Sequence, residues 1–424
     1  MSAAAPELLT LISADQARRL MSQTPPVSTE TVDLGAAHGR VLASPLIADE
    51  DLPSFRRSTM DGYAVRARDV AGASDGAPVP LVLVGTVPMG GVFSGALTEG
   101  QAVGISTGGF VPDGADAVVM LEYVTSASGR GSGNDGGGGR IAIAKRAAPG
   151  DNIIEPGEDI RRGATVLPAG RRLRPQDVAA LASFGTARVS VFRRPRIAVL
   201  STGNELCEPT ARPAAGQVRD VNQSVLAAQV EAAGCEVTHG GIVRDDADAL
   251  SAAVSLLLPA HDGLILSGGS SVGVRDVSGE VLRALGPPGV LFHGIRIRPG
   301  KPTIFARVGD KPVVGMPGFP TSSMIVFDAF IRPMLWRLGG ETGRASWPAR
   351  RRARLSRRHP SAPGREDYVR VRLRTDADGE AWADPLLGGS AAISNVIDAD
   401  GLVIMGAEME SVAEGEQVEV CLYA

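Results

Sequence analysis

The spacing of hydrophobic residues changes character along the chain. Between residues 196 and 337, short apolar runs typical of buried strands alternate with segments of helical periodicity. The runs predict strands at 196–202, 236–243 and 264–266, and the segments between them predict helices at 222–233, 247–258 and 276–285. Alternation at this spacing indicates a doubly wound, largely parallel α/β sheet, with its ligand at the carboxyl ends of the strands.

The segments on either side are β-like. Short runs at 81–87, 101–106 and 117–120, separated by glycine and proline, predict a compact β module, and 361–424 predicts a small C-terminal barrel or sandwich. Ser13 is placed to cap a short amphipathic helix before Thr24-Pro25-Pro26. The glycine-rich tract 126–139 is interpreted as a long hairpin tip without chemistry, and the arginine-rich stretch 344–360 as a solvated connection.

Length and composition restrict the class of protein. A chain of 424 residues predicts about three domains. A net charge of −4 argues against a nucleic-acid partner, and no apolar run reaches the ~18 residues of a membrane span. Cys207, Cys235 and Cys421 lie too far apart for a zinc or disulfide framework. These features favour a soluble protein of the reducing cytoplasm.

The loop after the predicted strand 264–266 is the first candidate site. It reads SGGSSVGVRD from Ser267 to Asp276, so a buried strand ends in glycines whose amides can face an anion. A following helix start, an arginine and a carboxylate would suit a magnesium-bound phosphate ester. A plain glycine-rich turn that binds nothing remains the alternative.

Carboxylates follow three successive strands of the same sheet. Glu205 lies in STGNEL, Asp245 in VRDD and Asp276 at the end of the glycine loop. Because carboxyl ends of parallel strands meet at one edge, this convergence predicts a metal or phosphate site there.

Cationic and hydroxyl groups add to this edge. Arg298 and Lys301 flank a Pro-Gly turn in RPGKP, and PGFPTSS at 317–323 opens a helix with hydroxyls, which suits a tetrahedral oxyanion. A basic rim beside a helix cap is the alternative. Arg365 and Ser390 could reach the cleft from the C-terminal domain.

Three further candidates lie in the first half of the chain. Asp61 sits in STMDGYAV, Thr107 beside two glycines in STGG, and Asp159 in GEDIRRG. Each also has a structural interpretation, respectively a hairpin turn, a strand end and a surface ion-pair cluster.

Taken together in this order, these motifs resemble the bacterial MoeA proteins, molybdopterin molybdenumtransferases related to the C-terminal part of gephyrin. The resemblance covers essentially the whole chain. It implies a multidomain α+β and α/β protein with four parts: an extended dimerisation domain (1–50 and 145–180), an inserted β domain (51–144), a MogA-like doubly wound α/β domain (181–338) and a C-terminal β-barrel (345–424).

The resemblance also implies an activity and partners. Molybdate would be inserted into adenylylated molybdopterin with Mg²⁺ and release of AMP, in a cleft shared by the two subunits of a homodimer. A MogA-like molybdopterin adenylyltransferase would supply the substrate, and molybdoenzyme maturation proteins would receive the product. No nucleic acid or membrane partner is implied.

The same resemblance assigns roles to residues at matching positions. Asp61, Thr107, Asp159, Glu205 and Asp276 match catalytic positions, and Asp245 joins Glu205 and Asp276 as a metal ligand. The cofactor-binding positions are Ser267, Gly268, Gly269, Ser271, Arg298, Lys301, Ser322, Arg365 and Ser390.

Some residues depart from the family pattern. Asn204 replaces a carboxylate, Arg298 replaces a lysine and Phe319 replaces an amide. These changes keep open a second hypothesis, a paralogue that binds and delivers finished cofactor without turnover. A dinucleotide-binding Rossmann enzyme is disfavoured, since no GxGxxG opens the first βα unit.

Overall fold

A computed structural model describes residues 11–126, 139–268, 277–344, 346–347, 349–386, 388–389 and 392–423. The chain forms two compact units. The first comprises residues 1–44, 169–179 and 186–424, and the second comprises 45–168 and 180–185. This division does not test the four predicted domain boundaries, which remain a prediction.

A six-stranded mixed sheet forms the α/β part of the first unit. Its strands lie in the order Glu236–Val243, Arg196–Thr202, Gly263–Ser267, Lys311–Met316, Ile304–Val308 and Pro288–His293. The first four are parallel, as predicted. Ile304–Val308 pairs antiparallel with Lys311–Met316, because a two-residue turn at Gly309-Asp310 joins the two strands directly and leaves no room for a crossover helix. Pro288–His293 also pairs antiparallel with Ile304–Val308.

Helices cover both faces of this sheet. Alternate residues of the strand Arg196–Thr202 belong to two different cores, Ile197 and Val199 to one and Ala198 and Leu200 to the other. This burial on both faces explains the continuous apolar runs in the sequence. The helices are Asn222–Ala232, Ala247–Leu257, Val277–Ala284, Pro320–Val326 and Arg332–Leu338, with a π-helical turn at Phe327–Ile331 between the last two.

The C-terminal region forms a closed barrel sheet. Its order is Ile297–Arg298, Glu366–Thr375, Ala381–Pro385, Arg350–Leu355, Gln417–Leu422 and Gly401–Met405, and Glu366–Thr375 also pairs with Gly401–Met405. The interpretation of 344–360 as a solvated connection is therefore wrong for Arg350–Leu355. Ala353 and Leu355 belong to the barrel core while the four arginines are exposed, so a half-buried strand carries the basic run.

The N-terminal helix spans Ala14–Ser22 and begins as predicted. The Ser13 hydroxyl accepts from the Gln16 amide, and the Gln16 side chain accepts from the Ser13 amide, which forms a capping box. A three-stranded sheet follows, in the order Thr29–Asp33, Arg188–Phe192, Val41–Leu42.

The second unit contains a six-stranded β sheet. The order is Ala117–Met120, Gly62–Val65, Gln101–Ile105, Val79–Thr86, Arg140–Ile143, Val124–Ser126. Two separate two-stranded sheets pair Arg57–Ser58 with Ile153–Ile154 and Leu46–Ile47 with Thr165–Leu167. The helix Pro175–Ser183 is divided between the units, with residues 175–179 in the first and 180–183 in the second. Val124–Ser126 and Arg140–Ile143 pair antiparallel, although most of the predicted hairpin tip between them lies outside the described residues.

The mixed α/β and α+β composition predicted from the sequence is confirmed. None of the described helices has both the length and the apolar composition that crossing a bilayer requires.

Candidate functional site

Asn222 joins the ends of two parallel strands. It is the first residue of its helix and is 7% exposed. Its side-chain amide donates to the Ser267 hydroxyl at 2.7 Å and to the Gly318 carbonyl at 2.8 Å. The predicted binding residue Ser267 is therefore held by a side chain from a third segment, and this edge of the sheet is fixed before any ligand arrives.

Thr202, the last residue of the strand Arg196–Thr202, contacts Asp245, which follows the neighbouring strand Glu236–Val243. The Thr202 hydroxyl donates to an oxygen of the Asp245 carboxylate at 2.7 Å, and the Asp245 amide donates to the Asn204 side chain at 3.3 Å. These bonds orient Asp245 from both sides. Glu205 is exposed on the same turn, and its carboxylate oxygens would lie 2.9 Å from a Cβ added at Gly203.

Gly268 is the residue that the strand end requires most strictly. Its φ is +97°, and a Cβ added there would lie 2.2 Å from the Thr202 carbonyl oxygen. No L-residue with a side chain fits this contact. The glycine is thus required by packing against a neighbouring strand end, and the approach of the loop amides to an anion stays a prediction. Gly269, Ser271 and Asp276 lie outside the described residues.

Two of the three predicted metal ligands, Glu205 and Asp245, lie within the described residues. Glu205 and Asp245 supply the hard carboxylate oxygens that Mg²⁺ prefers, on the turns that follow two neighbouring strands of the sheet. Within the ranges described, no group of three or more His, Cys, Asp or Glu side chains is arranged to hold a metal ion. The described carboxylates fit a shared site only with a further ligand, the role predicted for Asp276.

The cationic residues form a second group, around Asp367. Arg365 contacts the Asp367 carboxylate through Nε at 2.8 Å and Nη2 at 3.3 Å, and Arg298 Nη1 lies 4.0 Å from it. Lys301 is exposed in the same turn as Arg298, and the Lys301 carbonyl accepts from the Ile295 amide. Arg298 and Arg365, predicted separately, are thus brought together, whereas Ser390 lies outside the described residues.

The hydroxyls of the segment 321–323 do not all face one way. Ser323 donates to the Pro317 carbonyl, so its hydroxyl stabilises the turn instead of facing a ligand. Ser322 is buried in the first turn of Pro320–Val326. Thr321 Oγ1 is buried and has no hydrogen-bond partner within the described part of the chain.

In the second unit, Asp61 and Thr107 meet. The Thr107 amide donates to the Asp61 carboxylate at 2.8 Å, and both residues are exposed. Gly62 permits this arrangement, since a Cβ there would lie 2.1 Å from the Val119 carbonyl oxygen. Asp159 is exposed and its amide donates to the Leu52 carbonyl at 3.2 Å. Asp61 is therefore a turn residue and also an ordered surface carboxylate.

Sequence reasoning missed Asn222 and Asp367. A signal for Asn222 was available, because a polar residue at the start of a helix of the doubly wound domain faces the strand ends. Asp367 lies two positions after Arg365 in GREDYVRV, but its contact with Arg298 depends on a strand pairing between distant segments.

Comparison with known proteins agrees with this architecture along the chain. Three family models match in succession: the MoeA N-terminal region (domain I and II) over residues 12–185, the probable molybdopterin binding domain over 198–337, and the MoeA C-terminal region (domain IV) over 352–423.

Full-length relatives show the same extent of similarity. The molybdopterin molybdenumtransferase of Bacillus subtilis is 33% identical over 98% of this chain and 95% of its own. Molybdopterin molybdenumtransferase 2 of Mycobacterium tuberculosis is 34% identical over 92% and 94%. The crystal structure of the molybdopterin biosynthesis MoeA protein from Pyrococcus horikoshii OT3 has a TM-score of 0.80 at 29% identity, over 98% of this chain and 100% of that one. The chain therefore belongs to the MoeA family.

Proposed function

We propose that this protein is a molybdopterin molybdenumtransferase that inserts molybdate into adenylylated molybdopterin and releases AMP. The observation that carries the proposal is similarity over at least 92% of the chain to bacterial proteins of that name. The arrangement of polar groups in the first unit supports it, because the strand ends that the ligand would face are held in place by Asn222 and Thr202.

The proposed reaction requires little covalent chemistry from side chains. Cleavage of a phosphoanhydride depends on positioning the reacting groups and on stabilising charge on phosphate oxygens. Arg298, Lys301 and Arg365 supply positive charge near the barrel edge, and Gly268 follows the central strand Gly263–Ser267 at the start of the glycine loop whose amides would face the phosphates. Ser267, fixed by Asn222, presents a hydroxyl at the end of the central strand.

We assign Mg²⁺ to Glu205, Asp245 and Asp276. When bound, the ion would neutralise negative charge on phosphate oxygens. The chain's own contribution is to hold Asp245 through Thr202 and through the Asn204 side chain.

We also propose that the protein works as a homodimer. Asp61, Thr107 and Asp159 of one subunit would complete the cleft of its partner, which accounts for an ordered carboxylate on the surface of the second unit. A MogA-like adenylyltransferase would supply the substrate, and molybdoenzyme maturation proteins would receive the product.

An AMP-release assay tests the activity. Protein is given adenylylated molybdopterin, Mg²⁺ and either molybdate or tungstate, with and without EDTA, and AMP is quantified. We expect metal-dependent release, and about a 100-fold lower kcat/KM for Asp245→Asn, because a carboxylate that stabilises transition-state charge is lost. Asp310→Asn is the control, since Asp310 is 79% exposed on a hairpin turn of the same sheet.

The same assay separates the alternative. A cofactor-delivery paralogue would bind molybdopterin and release no AMP with either oxyanion. Exposed Asn204 and the 56% exposed Phe319, at the strand edge, are the residues that favour this second function.

A further inference from the structure

Asp367 is a buried carboxylate placed between two arginines from different segments. Its side chain is 1% exposed. It accepts two hydrogen bonds from Arg365, at 2.8 and 3.3 Å, in the fork geometry of a bidentate pair, and Arg298 Nη1 lies at 4.0 Å. The buried carboxylate of Asp367 requires these guanidinium partners, because an unpaired buried charge strongly destabilises the folded protein.

Backbone pairing fixes where the two arginines meet. The short strand Ile297–Arg298 runs parallel to the barrel strand Glu366–Thr375, with Arg298 in register with Asp367. The Glu366 amide donates to the Arg296 carbonyl at 3.0 Å. A turn of the α/β part and an edge of the barrel are thus aligned to within one residue.

The neighbouring residue is fixed from the N-terminal helix. Arg18 donates to both oxygens of Glu366, at 3.0 and 2.7 Å, and Tyr368 donates to Glu366 at 2.8 Å. Successive strand residues point to opposite faces, so Glu366 anchors one face and Asp367 organises the other. The start of this strand is a rigid support, which is what a preorganised binding site requires.

The cluster carries an excess of positive charge. Arg298 and Arg365 share the single charge of Asp367, and their side chains remain 63% and 34% exposed. Burial and the positive charges of Arg298 and Arg357 lower the pKa of His359, and the negative charge of Asp367 opposes them in part, so folding disfavours a further positive charge beside the cluster. Two oriented guanidinium groups with accessible N–H donors suit phosphate oxygens.

We infer that Asp367 is a positioning residue that holds Arg298 and Arg365 as one two-guanidinium clamp for the phosphate oxygens of the ligand. The inference rests on the proposed function, which supplies a ligand with a phosphoanhydride. Asp367 itself contacts no ligand and acts only through the two arginines.

The sign of a charge-removing substitution distinguishes positioning from simple electrostatics. Asp367→Asn deletes a negative charge near the bound anion, so charge alone predicts tighter binding. Loss of orientation predicts weaker binding, because each guanidinium then has to be ordered at the moment of association.

The experiment measures the affinity of the full-length protein for adenylylated molybdopterin by calorimetry, without molybdate. We expect Asp367→Asn to weaken binding about tenfold or more, since bidentate contacts to phosphate are lost. Asp367→Glu keeps the charge but moves the carboxylate, so we expect an intermediate affinity. Unchanged or tighter binding by Asp367→Asn would overturn the inference.

Two controls isolate the positioning effect. Asp262 forms a comparable pair with Arg193, at 2.5 and 2.6 Å, before the strand Gly263–Ser267 and so at the opposite edge of the sheet. Asp262→Asn should lower thermal stability without changing affinity. In an Arg298→Ala/Arg365→Ala background, Asp367→Asn should have no further effect on affinity. A full additional loss there would also overturn the inference.

The outcomes keep the two proposals apart. If wild-type protein fails to bind adenylylated molybdopterin, the proposed function fails and takes this inference with it. If wild-type protein binds the ligand and Asp367→Asn binds it equally well, only the positioning role is wrong.

Discussion

At the scale of single residues, the strand edge depends on the absence of a Cβ atom at Gly268. Gly268 passes so close to the Thr202 carbonyl that even a methyl group would overlap it, and its φ of +97° is strained for any other residue. The same Thr202 orients Asp245 through its hydroxyl. A change at Gly268 therefore acts on the loop and on the proposed metal ligand together.

We expect Gly268→Ala to lower the free energy of unfolding by about 2–5 kcal/mol, from left-handed backbone strain plus overlap in a packed site. AMP release should fall as well. Gly309→Ala is the matched control, because Gly309 also has positive φ but nothing within 4 Å of an added Cβ, and we expect a loss of about 1–2 kcal/mol with activity retained. Equal losses for the two variants, measured by chemical denaturation, would refute the role of the contact.

Residues whose partners are near in sequence were predictable, and others were not. The Ser13 cap depends on Gln16, three positions on, and it was predicted correctly. Asn222 bonds to Ser267 and Gly318, which are 45 and 96 positions away. The place of Asn222 at the start of a helix indicates that it faces the strand ends, but no local pattern identifies Ser267 and Gly318 as its partners, because these contacts exist only after the strands have been ordered in the sheet.

At the scale of elements, three consecutive helical segments run from Pro320 to Leu338 and contain a buried acid. Asp328, in the π-helical turn, is 5% exposed and accepts from Gln229 at 3.0 Å, with Arg332 at 3.3 Å. Burial raises the pKa of Asp328 to about 6, and Arg332 and Gln229 only partly oppose that rise. The folded protein therefore holds this proton more tightly than the unfolded chain does.

Because folding raises the pKa of Asp328, this group lowers the free energy of unfolding by an amount that increases as pH rises. Between pH 5 and pH 8 the folded state should lose about 1.5 kcal/mol through this group, as its proton is given up against burial. Asp328→Asn removes that loss, so the difference in unfolding free energy between wild type and variant should shift by this amount in favour of the variant. A difference independent of pH, by urea denaturation, would contradict it.

Helices and strands were predicted correctly where the spacing of hydrophobic residues was clear, and a strand was missed where charged residues obscured that spacing. The strands Arg196–Thr202 and Glu236–Val243 match their predicted bounds. Arg350–Leu355 was missed because four arginines masked the inward pair Ala353 and Leu355. The antiparallel hairpin through Gly309-Asp310 was also missed, since apolar runs alone do not reveal strand direction.

At the scale of the whole molecule, the proposed shared cleft makes a prediction about mixtures. Asp61→Asn and Asp245→Asn should each be inactive as pure homodimers, because each lesion would affect both clefts. After the two variants are unfolded together and refolded at equal amounts, half of the dimers should be mixed and one of their two clefts intact. About a quarter of wild-type AMP release should return.

The control for this mixture uses two lesions on the same half of the cleft. Asp245→Asn and Asp367→Asn refolded together should not restore activity beyond the sum of their separate rates if both act on one side. No recovery with Asp61→Asn and Asp245→Asn would exclude a cleft shared between subunits.

The strand Glu366–Thr375 has one more implication. It pairs with Ile297–Arg298, and Tyr368, Leu402 and Cys421 share a core with helices of the α/β part. The barrel is thus no detachable appendage. Truncating the protein after residue 344 would leave the strand Ile297–Arg298 unpaired and expose a hydrophobic surface of the α/β part. A loss of activity in such a fragment would therefore reflect its misfolding and would not measure what the C-terminal region contributes to function.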